Sequence, residues 1–171
     1  MIFCTKHGII RHRTCLYTPQ QNGIAERFNR TILDKVRCML IQSGLPGKFW
    51  AEAASTACYL INRSPTSAIG NKIPNELWNM HSVSYSHLKV FGCIAFAHTK
   101  QSKLEPRALK CIFIGYPEGI KGHKLWCPDK KKVIVSRDVV FIENEIYNSN
   151  LQENEKVDIS LFEVELSEYN R

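Results

Sequence analysis

The chain contains no Asp or Glu before Glu26. A site that holds divalent ions through carboxylates needs several hard oxygen ligands. The first 25 residues cannot supply one. Long apolar runs are also missing. No stretch of about 18 apolar residues occurs, so no membrane-spanning helix is expected. The opening Met1-Ile2-Phe3-Cys4-Thr5-Lys6 lacks the apolar segment of a secretory signal, so a nuclear or cytoplasmic setting is expected. There is no glycine-rich phosphate loop and no Ser/His/Asp arrangement. The seven cysteines are odd in number and include no CxxC pair, which reads as a set of reduced thiols.

What is present suits a globular chain. Its 171 residues are 44% hydrophobic and 23% charged, enough to build a core in one domain or two small ones. The net charge of +7 is unevenly spread. Residues 1–64 carry nine Lys/Arg against three Asp/Glu, and residues 65–142 carry twelve against five. Residues 143–171 reverse the sign, with two against eight. A basic body with an acidic tail favours polyanionic partners through counterion release and steering. A merely solvated basic face is the plainer reading of the same charge.

Periodicity divides the chain. Ile9–Tyr17 reads as a strand. Thr18-Pro19 starts a turn, because proline fixes its own φ and pushes its predecessor toward extended geometry. From about Asn22 to Ser43, Ile24, Phe28, Ile32, Val36, Met39 and Leu40 share one helical face, with Asn22 as the expected N-cap. At about 100° per residue, Glu26, Arg30 and Arg37 fall together on the opposite face. A second helix is predicted from about Pro46 to Asn62, and a short turn of helix at Pro74-Asn75-Glu76-Leu77-Trp78. After Leu88 the pattern becomes that of short strands: Val90–Ala97, Ala108–Tyr116, Gly122–Cys127, Lys132–Ser136 and Val139–Glu143. Short strands with close turns predict a small barrel or sandwich. From Asn144 the chain is acidic and reads as a disordered tail.

Three features could carry chemistry. Glu26 is a carboxylate in the first helical turn beside a polar loop, a layout that can present one acid to a metal. Early glutamates also simply compensate the helix dipole. Cys4, His7, His12 and Cys15 have zinc-knuckle-like spacing, but no glycine is placed to wrap the chain around an ion, and a strand is the expected reading. Lys130-Lys131-Lys132 is predicted at a hairpin tip, either as a phosphate contact or as a solvated loop. Phe113, Tyr116 and Trp126 are expected in a β core. His81, His87, His98 and His123 show no ligand spacing.

The run Thr18-Pro19-Gln20-Gln21-Asn22-Gly23-Ile24-Ala25-Glu26-Arg27-Phe28-Asn29-Arg30-Thr31 closely resembles the end of the catalytic core of copia-type LTR-retrotransposon integrases, of the DDE polynucleotidyl transferase superfamily. Further stretches resemble the same polyprotein in the same order. They are Tyr59-Leu60-Ile61-Asn62-Arg63-Ser64-Pro65-Thr66, His87-Leu88-Lys89-Val90-Phe91-Gly92-Cys93, Lys110-Cys111-Ile112-Phe113-Ile114-Gly115-Tyr116 and Ser136-Arg137-Asp138-Val139-Val140-Phe141. The resemblance implies that Glu26 is the third metal-binding acid of the family. It implies that Gln20, Gln21 and Asn22 form the loop that approaches DNA ends, and that Arg27, Asn29, Arg30 and Arg37 lie near the nucleic acid. Lys130, Lys131 and Lys132 would belong to a DNA-engaging SH3-like domain.

The implied fold is α+β: a remnant of an RNase H-like α/β core, mainly helices with an edge strand, followed by a small SH3-like β-barrel. The expected divisions are 1–64 for the partial core, 65–87 for a linker with a short helix, 88–143 for the β domain and 144–171 for the tail. The implied activity is DNA integration by metal-dependent strand transfer using Mg or Mn. The family's first two acids have no counterpart here. Asp34 lies two turns further along the same helix as Glu26, and Asp138 belongs to the β region. The chain alone is therefore expected to bind no metal, to be inactive, and to keep weak DNA affinity, with homo-oligomers as an integrase would form. A domesticated, non-catalytic DNA- or protein-binding module is the alternative, and a product without a stable fold is the third reading.

Overall fold

The helical stripe from Ile24 to Leu40 forms one continuous helix in the computed structural model, which describes residues 2–10, 15, 18–98 and 108–147. The chain forms two compact units, Met1–Thr31 and Ile32–Arg171. The first contains α1 (Ile2–Lys6), a 3-10 turn at Pro19–Asn22 and the start of α2 (Gly23–Ser43). Thr18 Oγ1 donates to the Cys15 carbonyl at 2.7 Å, and Cys15 N–H donates to Gln21 Oε1 at 3.2 Å. Asn22 is not an N-cap. Gly23 already has right-handed helical geometry, so the turn runs straight into α2 without the extended residue that a cap requires.

The expected strand at Ile9–Tyr17 is not found where it can be judged. Ile9, Ile10 and Cys15 lie outside any helix or strand, and residues 11–14 and 16–17, including His12, lie outside the described residues. Ile2–Lys6 is helical instead. Among the described residues of this unit nothing offers a paired edge. Phe3, Ile10 and Ile24 are 67%, 82% and 80% exposed.

The second unit is built on a sheet. Its strands are β1 (Cys93–His98), β2 (Ala108–Gly115), β3 (His123–Cys127), β4 (Lys132–Ser136) and β5 (Val139–Ile146). All pairings are antiparallel, in the order β4-β3-β2-β1-β5. Side chains alternate between faces along a strand, and β2 is covered on both. Ile112 and Ile114 join a core with Val36, Leu40, Leu45, Phe49, Ala53 and Ala57, whereas Cys111 and Phe113 pack with Cys93, Ala95, Leu125 and Cys127. That double cover explains why Cys111–Gly115 is buried without interruption.

The helices on one face come from the end of α2 and from α3 (Trp50–Ile61), which a 3-10 turn at Gly47–Phe49 precedes. Gly44 adopts φ +62 after α2, and its N–H closes on the Leu40 carbonyl at 2.9 Å, the left-handed stop that glycine favours. Ala53 and Ala57 are fully buried, and Thr56 Oγ1 donates to the Ile114 carbonyl at 3.3 Å. These small residues bring α3 against β2. A short α4 (Pro74–Asn79) follows. The fold is thus α+β.

Two expectations are corrected here. Asn144 and Glu145 do not begin a tail, because Cys93 pairs with Ile146 and Tyr147 N–H donates to the Gly92 carbonyl at 3.1 Å. The apolar Ile142 and Ile146 keep the strand pairing through a polar stretch. Residues 148–171 lie outside the described residues. The cysteines are also not all free. Cys111 and Cys127 form a disulfide, while Cys4, Cys15, Cys38, Cys58 and Cys93 are free. The register sets Ile112 opposite Trp126, which places the two cysteines directly across from each other with Cα atoms 4.5 Å apart. Spacing along the chain carries no sign of that.

Candidate nucleic-acid interface

Glu26 is exposed in the first turn of α2, and Asn29 and Arg30 are exposed further along the same helix. Gln20, Gln21 and Asn22 are exposed in the turn before it. Arg27 is exposed, and its Nε donates to the Gly23 carbonyl at 3.2 Å. Arg37 belongs to the second unit and is half-buried. Its Nε is buried with no hydrogen-bond partner among the described residues. Arg30 is therefore the better candidate for a contact made through an open guanidinium.

A divalent-metal site does not fit the residues available. Among the described residues no three His, Cys, Asp or Glu side chains gather where they could hold an ion. One carboxylate leaves most of the coordination sphere of Mg to other ligands. Chemistry through such a centre would need acids that Glu26 does not find among them.

The lysine run sits where the sequence puts it. Lys130 and Lys131 occupy the turn between β3 and β4, and Lys132 opens β4. Lys131 adopts φ +47, and its N–H donates to the Pro128 carbonyl at 3.1 Å. All three lysines are exposed and make no ion pair among the described residues.

Sequence reasoning missed an aromatic seam between α3 and the sheet. Tyr59 stacks on Tyr116 with ring centroids 4.1 Å apart, and its Oη lies 2.8 Å from His87 Nε2. The Arg63 guanidinium lies over the other side of this system, 3.4 Å from the Tyr59 centroid. Tyr116 Oη accepts the Lys89 N–H at 2.9 Å, and Lys89 Nζ pairs with Glu143 at 2.8 Å. Burial raises the Tyr59 phenol, against the opposing pull of Arg63. Burial, helped by Arg63, lowers the His87 imidazole, and His123 is also lowered by burial. Burial pushes Tyr116 up to about 12. His87 joins the seam by packing and by its hydrogen bond with Tyr59, while His123 Nδ1 is buried with no hydrogen-bond partner among the described residues. Phe113 is fully buried in the β core, as expected, whereas Trp126 packs edge-on to Phe49 at 5.4 Å on the helical side. The signal for the seam was the aromatic content of the Tyr59, His87 and Tyr116 stretches, but spacing could not pair them.

The antiparallel sheet falls within a stretch that sequence comparison assigns to a known class. Residues 93–156 match the retroviral polymerase SH3-like domain. The chain is 55% identical over 147 residues, 84% of its length, to the retrovirus-related Pol polyprotein from transposon TNT 1-94 of Nicotiana tabacum. It is 30% identical over 145 residues, 83% of its length, to the Pol polyprotein from transposon RE1 of Arabidopsis thaliana. An uncharacterized mitochondrial protein of Arabidopsis thaliana is 49% identical over 82 residues, which cover 48% of this chain and 68% of that protein. The chain belongs to the copia-type retrotransposon Pol polyprotein family. It spans 11% of the tobacco polyprotein and 10% of the RE1 polyprotein. Among the described residues no helix is long and apolar enough to cross a membrane.

Proposed function

We propose that this chain is the end of an integrase catalytic core joined to its SH3-like domain, and that by itself it binds nucleic acid through phosphates without catalysing strand transfer. The observation that carries the binding half is the exposed, unpaired Lys130-Lys131-Lys132 run at the β3–β4 turn. Three ammonium groups on a tight turn can approach a phosphate backbone with little side-chain desolvation. What supports inactivity is that, among the described residues, no cluster of metal-ligating side chains forms around Glu26. On this reading DNA is the partner, the setting is nucleus or cytoplasm, and Mg or Mn would be held only when further acids complete the site.

The test is a salt titration of duplex binding. Neutralising Lys130, Lys131 and Lys132 together to Gln should flatten the slope of log K against log salt by up to about 2.7, at about 0.9 for each phosphate no longer neutralised. An unchanged slope refutes the role of the tip. Mg-dependent DNA joining by the pure chain, abolished in Glu26→Gln, refutes inactivity.

A further inference from the structure

A cleft of about 520 Å³ opens beside α4, away from the lysine tip in sequence. Arg63, Asn75, Asn79, His81, Ser84 and His87 line it, and no Asp or Glu is among its lining residues. Glu76, the acid on α4, is engaged elsewhere, accepting the Val83 N–H at 2.8 Å and so tying the following loop to the helix. The cleft is therefore a donor-rich wall without a carboxylate.

Arg63 is fixed within it. Its guanidinium stacks on Tyr59, one Nη donates to the Tyr59 carbonyl at 3.2 Å, and the Tyr85 hydroxyl donates to the Arg63 carbonyl at 3.1 Å. The remaining guanidinium N–H groups have no partner among the described residues. A guanidinium held in this way loses little further entropy when it takes an anion. Asn79 Nδ2 donates to Asn75 Oδ1 at 2.7 Å, which leaves Asn75 Nδ2 as a second open donor. Between these asparagines in sequence, Trp78 is 85% exposed, and Tyr85 beyond the loop is 49% exposed. Neither ring lines the cleft, but both neighbour its lining residues in sequence, and exposed aromatics combined with open cationic and amide donors are what sequence-tolerant binding of single strands uses.

We propose that this cleft seats a phosphodiester of a single-stranded nucleic acid segment, with Arg63 and Asn75 on the phosphate and Trp78 stacked on a neighbouring base. The assignment rests on the nucleic-acid reading above and gives it a second surface. The experiment uses the full chain and a fluorescein-labelled oligothymidylate of 12 nucleotides, read by anisotropy from 50 to 200 mM KCl. Arg63→Gln should weaken binding several-fold and flatten the salt slope by about 0.7, the value for one single-strand phosphate. Trp78→Ala should weaken it at least about 5-fold, with Trp78→Phe recovering part of the loss. Asn79→Asp, which adds a negative charge to the wall and removes the amide donor to Asn75, should weaken it. Wild-type affinity in all three weakening variants, with loss only in the lysine-tip variant, overturns the cleft and leaves the proposed function standing. No binding of any oligonucleotide by the unaltered chain overturns both. Displacement by inorganic phosphate at concentrations equal to strand phosphates would overturn the assignment to nucleic acid in favour of a free-phosphate site.

Discussion

Replacing Gly92 by alanine should remove a large part of the stability of the second unit. Gly92 has φ +82, its N–H donates to the Phe113 carbonyl at 2.8 Å, and its carbonyl accepts the Tyr147 N–H. It therefore sits fixed between β2 and the end of β5, where α2 finishes. A methyl group at this position would meet Ser43 Cβ at 2.2 Å and Ser43 Cα at 3.1 Å. Ser43 cannot swing aside easily. It is fully buried, its Oγ donates to the Leu40 carbonyl at 3.2 Å, and it accepts the Leu45 N–H at 3.3 Å.

Two costs follow. Left-handed backbone costs an L-residue about 1–2 kcal/mol, and overpacking a tight site costs about 1–3 kcal/mol. Their sum, roughly 2–5 kcal/mol, compares with a total stability of about 5–15 kcal/mol for a typical domain. Urea unfolding followed by circular dichroism measures it as a lower midpoint at unchanged slope. The clash and the backbone term separate in a double-mutant cycle. Ser43→Gly alone should destabilise by losing two hydrogen bonds, each worth about 0.5–1.5 kcal/mol, yet Gly92→Ala should cost less in that background by about 1 kcal/mol or more. A Gly92→Ala variant within about 0.5 kcal/mol of wild type, or strict additivity in the cycle, would refute the close approach of α2 to the sheet.

Further outcomes rest on other parts of the second unit. Gly115→Ala should cost about 1–3 kcal/mol, because its φ is +136 and the new methyl would lie 2.5 Å from Thr56 Oγ1; Thr56→Ala should recover part, and no rescue in unfolding curves would sink the close approach. Denatured, unreduced protein should titrate five thiols of seven, and reduction should lower stability by about 3 kcal/mol for a loop this size. Seven titrating thiols would remove the disulfide. Stability should also fall as pH rises from about 9 toward 12. Burial pushes the Cys93 thiol up from 9.0 to about 12 and Tyr116 up from 10.0 to about 12, so the unfolded chain releases protons that the native state keeps. The stabilisation is complete below pH 9 and is lost through this window. A Cys93→Ala variant whose alkaline melting profile matches wild type would show that the thiol contributes nothing.

Helices and strands were legible because each rests on a local repeat. The predicted segments Lys132–Ser136 and Pro74–Trp78 lie within or match observed elements. What joins them was not legible, because joining depends on register and approach. Nothing local says that Cys111 faces Cys127, that α3 lies on β2, or that Arg63 stacks on Tyr59 while sharing a cleft with His87. The cleft draws residues from the end of α3, from α4 and from the loop after it, and no fixed spacing connects them. The strand expected at Ile9–Tyr17 is not found at Ile9, Ile10 or Cys15 for a related reason. Apolar and β-branched residues favour a strand only where an edge is available for pairing, and no described residue of Met1–Thr31 supplies one.

The same distinction governs Glu26 and the stripe behind it. Helical arithmetic sets Ile24, Phe28, Ile32, Val36 and Leu40 along one row of steps of four, a row that drifts by about 40° at each step. Yet Val36 and Leu40 are 1% exposed, while Ile24 is 80% and Phe28 45% exposed. A period identifies which face of a helix is apolar; it cannot say what covers that face. Likewise the surroundings of Glu26 identify a carboxylate set on a helix behind a polar turn, and a local pattern does not say which other groups come near it. The exposed part of the stripe and the acid lie at the same end of α2. On the proposed integrase reading, a polypeptide that brings further acids to Glu26 and also covers Ile24 and Phe28 should bind Mg and protect that first turn from hydrogen exchange together. Either one without the other would mean that Glu26 and the apolar stripe are not parts of one site.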